Sequence, residues 1–215
     1  MYQTILLDLD GTLTDPGNGI TNSVAYALKK WNIEVSDKTT LYKFIGPPLQ
    51  ESFEKYYHFS EEEAKQAVAY YREYFKDTGI YENELYPGIK DLLQKLKKSG
   101  KTLILATSKP EEFAVRILEY FDIAQYFDYV AGASMDETRN KKVDVIAYAL
   151  EKANIKDYKK AIMIGDREYD INGAKHFGID SIGVLYGYGS YEELSTAGAT
   201  HIVENVADIF SLVSV

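Results

Sequence analysis

Short apolar runs that stop at small polar residues, separated by stretches of helical periodicity, limit most tightly what this chain can fold into. Thr4 to Leu9, Thr102-Leu103-Ile104-Leu105-Ala106 and Ala161-Ile162-Met163-Ile164 place apolar side chains at successive positions, which a strand tolerates only when both faces are covered. Weaker strand patterns follow at Tyr129–Ala131, Ser181–Val184 and His201–Val203. Between them, Gly88 to Lys98 carries Ile89, Leu92, Leu93 and Leu96 on one helical face, with Gly100 as a stop. Pro110 to Tyr120, Lys142 to Ala153 and Asp170 to Phe177, the last ended by Gly178, read in the same way. Strands alternating with helices predict an α/β core, a parallel sheet covered on both faces.

One segment departs from the alternation. From Asp15 to Tyr81 no strand pattern stands out, but Ile20 to Trp31 puts Ile20, Val24, Ala27, Leu28 and Trp31 on one face, and Leu49 to Tyr57 is helical in spacing. A further helix from Glu61 is announced by Ser60-Glu61-Glu62-Glu63, a capping-box pattern. The prediction is a small all-helical domain, residues 15–81, inserted directly after the first strand of a core made of residues 1–14 and 82–215. Its hinges fall near Asp15–Gly19 and Tyr81–Pro87, since no repeat, low-complexity tract or Pro/Ser linker offers another boundary.

The first strand ends in a costly way: Ile5-Leu6-Leu7 runs into Asp8 and Asp10, one residue apart, then Gly11 and Thr12. Carboxylates at the end of a buried strand require positive charge beside them. In an open parallel sheet the loops after the strands gather around one crevice. Those loops carry Asp8 and Asp10, then Thr107-Ser108-Lys109, then Gly165-Asp166-Arg167-Glu168-Tyr169-Asp170. Carboxylates, a hydroxyl pair and an early-helix lysine therefore converge, a set that suits a hard divalent cation with oxygen ligands, Mg²⁺ first among them.

Composition removes other classes of function. With 33 acidic against 24 basic residues and a formal charge of −9, the chain lacks the basic field of a nucleic-acid or anionic-membrane binder. It contains no cysteine, hence no disulfide, thiolate metal site or thiol nucleophile. No run approaches a membrane span, and Asp8 and Asp10 interrupt the N-terminal apolar stretch, so the expectation is an unexported, cytoplasmic protein acting on a small molecule.

DLDGTLTD, LATSK, a lysine in NKKVDV, and GDREYD, in this order and spacing, resemble the four motifs of the haloacid dehalogenase-like hydrolase superfamily. The resemblance spans essentially the whole chain and is closest to phosphoglycolate phosphatase-like and 5'-nucleotidase-like members, helped by IGPPL at Ile45–Leu49 and GDREYDINGA at Gly165–Ala174. It implies a Rossmann-like core with a helical cap, and a magnesium-dependent phosphatase acting on phosphoglycolate or a nucleoside 5'-monophosphate through an aspartyl-phosphate. Asp8 would be the nucleophile, while Asp10 would act as acid and then base, with its carbonyl on the metal. Asp166 would complete the metal site and Asp170 would orient it or bind through water. Thr107 and the Ser108 amide would hold phosphate at a helix start, and Lys142 would neutralise phosphoryl oxygens and Asp8. Lys142 is preferred to Lys141 by register against the downstream helix, although Val143 replaces the proline or glycine common after this lysine in the family.

Other residues read as structural. Tyr56, Tyr57, Tyr70, Tyr71 and Tyr74 have packing periodicity, and His58, His176 and His201 lack ligand spacing. Arg167 and Glu168, beside Asp166, could pair with each other or with the cap, and Lys43 and Gly46 are candidate cap contacts to substrate. Asp10 argues against a dehalogenase or a phosphonate hydrolase within the superfamily. A phosphosugar mutase keeps both aspartates and stays open as an alternative, as does a non-enzymatic phosphate-ligand module on the same fold.

Overall fold

A computed structural model describes residues 1–136 and 138–214. In chain order the elements are β1 (Thr4–Leu7), β2 (Thr14–Asp15), α1 (Gly17–Lys29), a 3-10 segment (Lys38–Phe44), α2 (Leu49–Tyr57), α3 (Glu61–Phe75), β3 (Glu84–Leu85), α4 (Ile89–Lys98), β4 (Thr102–Pro110), α5 (Glu111–Tyr120), β5 (Tyr129–Ala133), α6 (Lys142–Lys152), β6 (Ala161–Gly165), α7 (Glu168–His176), β7 (Asp180–Val184), α8 (Tyr191–Ala197), β8 (His201–Val203) and α9 (Val206–Ser214). They divide between two compact units, Met1–Thr14 with Leu85–Val215, and Asp15–Glu84.

The larger unit is built on a six-stranded sheet in the order β5-β4-β1-β6-β7-β8, with every recorded pairing parallel. This is an α/β, Rossmann-like architecture. Leu7 is in register with Leu105 on one side and Ile164 on the other, so β1, β4 and β6 reach the same level of the sheet together. From β1 the chain order runs outward in both directions, which makes the carboxyl end of β1 the switch point where loops diverge and leave a crevice. The continuous apolar character of these strands has its cause in two-sided burial. Leu6, Ile104 and Met163 face α6 and α7 through Val145, Ile146, Ala149 and Ala174, while Ile5, Leu7, Leu103 and Leu105 are equally inaccessible to water. Each such side chain contributes about 1.5–3 kcal/mol by leaving solvent.

Three element boundaries differ from the sequence expectation, and each difference shapes the crevice. β1 stops at Leu7 because the chain then coils on itself: the amides of Leu13 and Thr14 donate to the Leu9 carbonyl at 2.8 and 3.0 Å, and Gly11 enters the left-handed region at φ +82°. β4 does not end at Ala106. Pairing with β5 continues through Thr107↔Gly132 and, after a register shift, Pro110↔Ala133. Ser108 and Lys109 therefore lie in an extended bulge, ahead of a helix that begins at Glu111, and neither belongs to a helix start. α7 begins at Glu168, which puts Asp170 inside the first turn instead of at the helix start.

The second unit packs α1, α2, α3 and the 3-10 segment around an aromatic interior. Phe44 meets Phe53 edge to face at 5.0 Å, Tyr56 and Tyr57 sit against Phe44, Trp31 meets Tyr70, and Tyr71 stacks on Phe75. With Tyr74 against Tyr26, the five tyrosines Tyr56, Tyr57, Tyr70, Tyr71 and Tyr74 pack on other rings, as their spacing predicts. Ser60 and Glu63 form the reciprocal capping box, with the Ser60 amide donating to Glu63 at 2.9 Å and the Glu63 amide to Ser60 Oγ at 3.3 Å. Among the described residues no helix is long and apolar enough to cross a membrane.

Candidate active site

The residues after β1 and β6, the bulged stretch of β4 and the first residue of α6 meet at the switch point. The Asp8 amide continues the ladder by donating to the Ile164 carbonyl at 2.9 Å, which anchors the backbone while its side chain enters the crevice, 5% exposed as a residue. Lys142 opens α6 and reaches across with an apolar stem that lies where Gly173 of α7 leaves room. Its Nζ is 2.7 Å from Asp8 Oδ1, 2.7 Å from Asp170 Oδ1 and donates to the Ala106 carbonyl at 3.1 Å. All three ammonium protons are therefore used. Lys141 is exposed and precedes the helix as its N-cap.

Asp166 and Asp170 arrive from β6 and the first turn of α7. Asp170 Oδ2 accepts from the Arg167 amide at 3.1 Å, and its carboxyl group occupies the space that a Cβ on Gly165 would fill. Asp166 is completely buried; its Oδ2 accepts from the Tyr188 amide at 2.8 Å, while Oδ1 has no hydrogen-bond partner among the described residues. Asp8, Asp166 and Asp170 each offer an oxygen, all within 4.8 Å of one another. The Asp10 carboxylate is not in this trio: its Oδ2 is 2.7 Å from Lys109 Nζ. Thr107 is buried and its Oγ1 accepts from the Lys109 amide at 3.2 Å; Ser108 beside it is half-buried.

Electrostatics follow from this packing. Four buried or nearly buried carboxylates face two ammonium groups, which leaves two negative charges if all are ionised. Burial raises the pKa of Asp166 well above the usual carboxyl value, and the neighbouring charges of Asp170 and Asp8 add to it. Burial likewise pushes Asp170 up to about 6, against the lowering effect of Lys142. Asp10 is raised by burial, opposed by Lys109. Burial works against the charge on Lys142, but Asp170 and Asp8 outweigh it and hold the ammonium protonated. The residual charge of the cluster, its exclusively oxygen donors and the unpartnered Asp166 Oδ1 fit a hard divalent cation.

Two features escape the sequence reading. Lys109 joins the carboxylates as its loop predicts, but which one it meets is set by the bulge in β4 that turns it toward Asp10. The turn after β7, Tyr186 to Gly189, touches Asp166, and its one sequence signal is a pair of glycines alternating with tyrosines just past a strand. Arg167 Nε is 2.8 Å from Glu193 Oε1, which also accepts from the Glu168 amide at 2.9 Å, because the first turn of α8 lies against this loop. Lys43 and Gly46 belong to the second unit, where Lys43 Nζ sits 4.4 Å from the Tyr56 ring centre.

Known proteins resemble the chain along its whole length. A 5'-nucleotidase of Pseudomonas aeruginosa is 44% identical over 206 residues, 96% of this chain and 93% of its own. A protein of Mycobacterium tuberculosis named tyrosine-protein kinase PtkA is 39% identical over 203 residues, 93% of this chain and 68% of its own. A crystal structure described as a predicted phosphatase from Clostridium acetobutylicum superposes with a TM-score of 0.97 at 52% identity, covering 100% of this chain and 99% of that one. The model of the haloacid dehalogenase-like hydrolase family matches residues 5–184, and with the parallel core and the carboxylate cluster at its switch point the chain belongs to that family.

Proposed function

We propose that the protein is a magnesium-dependent phosphatase that hydrolyses a small phosphomonoester, with nucleoside 5'-monophosphates first among candidates and phosphoglycolate second. The observation that carries this reading is the Asp8 carboxylate, held at the centre of the sheet between Lys142 and the Asp166–Asp170 pair. The 5'-nucleotidase relative supports the choice of nucleotide substrate.

In this reading an Asp8 oxygen forms a bond to phosphorus as the bond to the ester oxygen breaks, giving an aspartyl-phosphate and an alcohol. Asp10, kept protonated more readily by its burial, gives the leaving oxygen its proton. Water then attacks the same phosphorus, Asp10 takes a proton from it, and Asp8 is regenerated with release of phosphate. Lys142, the Thr107 hydroxyl and the Ser108 amide would hold the phosphoryl oxygens through both displacements. A divalent cation held by Asp8, Asp166, Asp170 and the Asp10 carbonyl would supply positive charge to offset that of a phosphate dianion. Substrate choice is assigned to the helical unit, with Lys43 and Gly46 the residues to vary first.

Phosphate release from a panel of monoesters, with and without chelator, tests the reading. The panel includes nucleoside monophosphates, phosphoglycolate, sugar phosphates and, because one relative is named a tyrosine kinase, tyrosine phosphate. Release that needs Mg²⁺ and falls at least ~1000-fold in Asp8→Asn, equivalent to about 4 kcal/mol of barrier, is the expected result. Absent release with interconversion of sugar phosphates would favour the mutase, and near-normal turnover by Asp8→Asn would remove the nucleophile.

A further inference from the structure

After β7 the chain makes a tight turn through Tyr186, Gly187, Tyr188 and Gly189 before Ser190 caps α8. This turn contacts two loops of the site at once. The Tyr188 amide donates to Asp166 Oδ2 at 2.8 Å, and the Tyr186 hydroxyl donates to the carbonyl of Thr12 at 3.1 Å, two residues beyond Asp10. Both glycines are required by space. A Cβ on Gly187 would overlap the Gly11 carbonyl oxygen and come within 2.5 Å of Asp166 Cβ, and one on Gly189 would overlap the Asp166 carbonyl oxygen. Gly11 itself admits no side chain, because Asp166 Oδ2 fills that position. Glu193, in the first turn of α8, holds Arg167 and the Glu168 amide and so ties the far side of the Asp166 loop to the same segment.

We infer that the Tyr186–Gly189 turn is a positioning element for the cation site: the Tyr188 amide fixes the Asp166 carboxylate so that Oδ1 stays turned toward Asp8 and Asp170, and the Tyr186 hydroxyl fixes the Gly11–Thr12 turn against which that carboxylate rests. Burial, with the Asp166 charge nearby, raises the Tyr186 pKa, so the phenol remains a donor. One of two Asp166 oxygens is thereby occupied by a backbone donor that cannot rotate away, and the other is left for a cation. Partners of metal ligands in this position typically contribute 10–100-fold to metal affinity.

The inference rests on the cation site of the proposed function, and calorimetric titration of the metal-free chain with Mg²⁺ alone separates the two. Gly187→Ala, which displaces the turn, is expected to weaken Mg²⁺ binding at least tenfold. Tyr186→Phe, which removes a single hydroxyl and keeps the ring against Tyr86, is expected to weaken it about threefold to tenfold, as loss of one hydrogen bond to a fixed loop allows. Metal-free melting, followed in parallel, reports any purely structural effect. Unchanged Mg²⁺ affinity in Tyr186→Phe, alongside clear binding by the parent chain and loss in Asp166→Asn, would overturn the positioning role and leave the proposed function standing. Absence of Mg²⁺ binding by the parent chain would overturn both.

Discussion

Lys109 Nζ and Asp10 Oδ2 are 2.7 Å apart, with side chains only 5% and 12% exposed. The pair lets the second carboxylate of the DLDGT stretch survive beside Asp8 without sharing the cation trio. Removing the ammonium leaves a buried charge without its partner, a change that typically costs 3–5 kcal/mol. Lys109→Met should therefore lower stability by roughly 2–4 kcal/mol, part of the penalty being escaped by protonation of Asp10. Its pKa is already raised by burial, and loss of Lys109 raises it further. A raised folded-state value contributes stability that is present at low pH and lost as pH rises through it, so the deficit in urea unfolding should grow from pH 4 to pH 7. The double variant with Asp10→Asn should recover most of it.

Protons and a cation compete for the same oxygens. Without a cation, Asp170 titrates at about 6 in the folded chain and Asp166 higher than an ordinary carboxyl. Both values are raised, so their contribution to the stability of the metal-free protein is complete at low pH and disappears as pH passes through 6 and above. Mg²⁺ restores what deprotonation removes. The rise in melting temperature produced by Mg²⁺ should be small at pH 5 and larger at pH 7.5, and Asp166→Asn should abolish the difference. An equal rise at both pH values would contradict this competition.

How far the site could be read from the sequence depended on whether position along a strand or geometry beyond it decided the role. Asp8 and Asp166 directly follow the ends of β1 and β6, which are in register, and their convergence follows from the parallel alternation alone. Helical register, a local property, favours Lys142 over Lys141, and the Lys142 side chain enters the crevice. Ser108 and Lys109 were misplaced because a bulge inserts extended residues where an apolar run followed by Thr-Ser suggests a helix start. The Tyr186–Gly189 turn was invisible for a different reason: its contact with Asp166 is made by a backbone amide, which leaves no mark on residue type, and only the glycines record the close approach.

Ser60 carries a local prediction in the second unit. Its hydroxyl and amide close the capping box with Glu63, ahead of a 15-residue helix whose buried face includes Ala64, Ala67, Val68 and Tyr71. Ser60→Ala should cost about 1 kcal/mol, read as a lower urea midpoint with unchanged slope. Ser60→Asp should retain most of the parent stability, since an acidic N-cap still accepts from the first turn and suits the helix dipole.

Lys142 and Lys141 are adjacent, yet their environments predict opposite outcomes. The Lys142 ammonium is held by Asp8, Asp170 and the Ala106 carbonyl, and its stem lies 3.1 Å from where a Gly173 Cβ would be. Lys142→Met keeps the stem but removes the charge, leaving Asp8 and Asp170 buried together without it. Turnover should fall at least ~100-fold, by about 3 kcal/mol of lost transition-state stabilisation, and the chain should also lose stability. Gly173→Ala should press on the core side chain Ile146, 2.8 Å from the added Cβ, as well as on the Lys142 stem, without touching the lysine's charge, so both kcat and metal-free melting are expected to fall. Lys141→Ala, on an exposed side chain, should stay within ±0.5 kcal/mol in stability and leave turnover unchanged. Phosphate-release kinetics and urea unfolding of the three variants, measured side by side, check this ordering; a Lys141→Ala defect larger than that of Lys142→Met would reverse the assignment of the lysine.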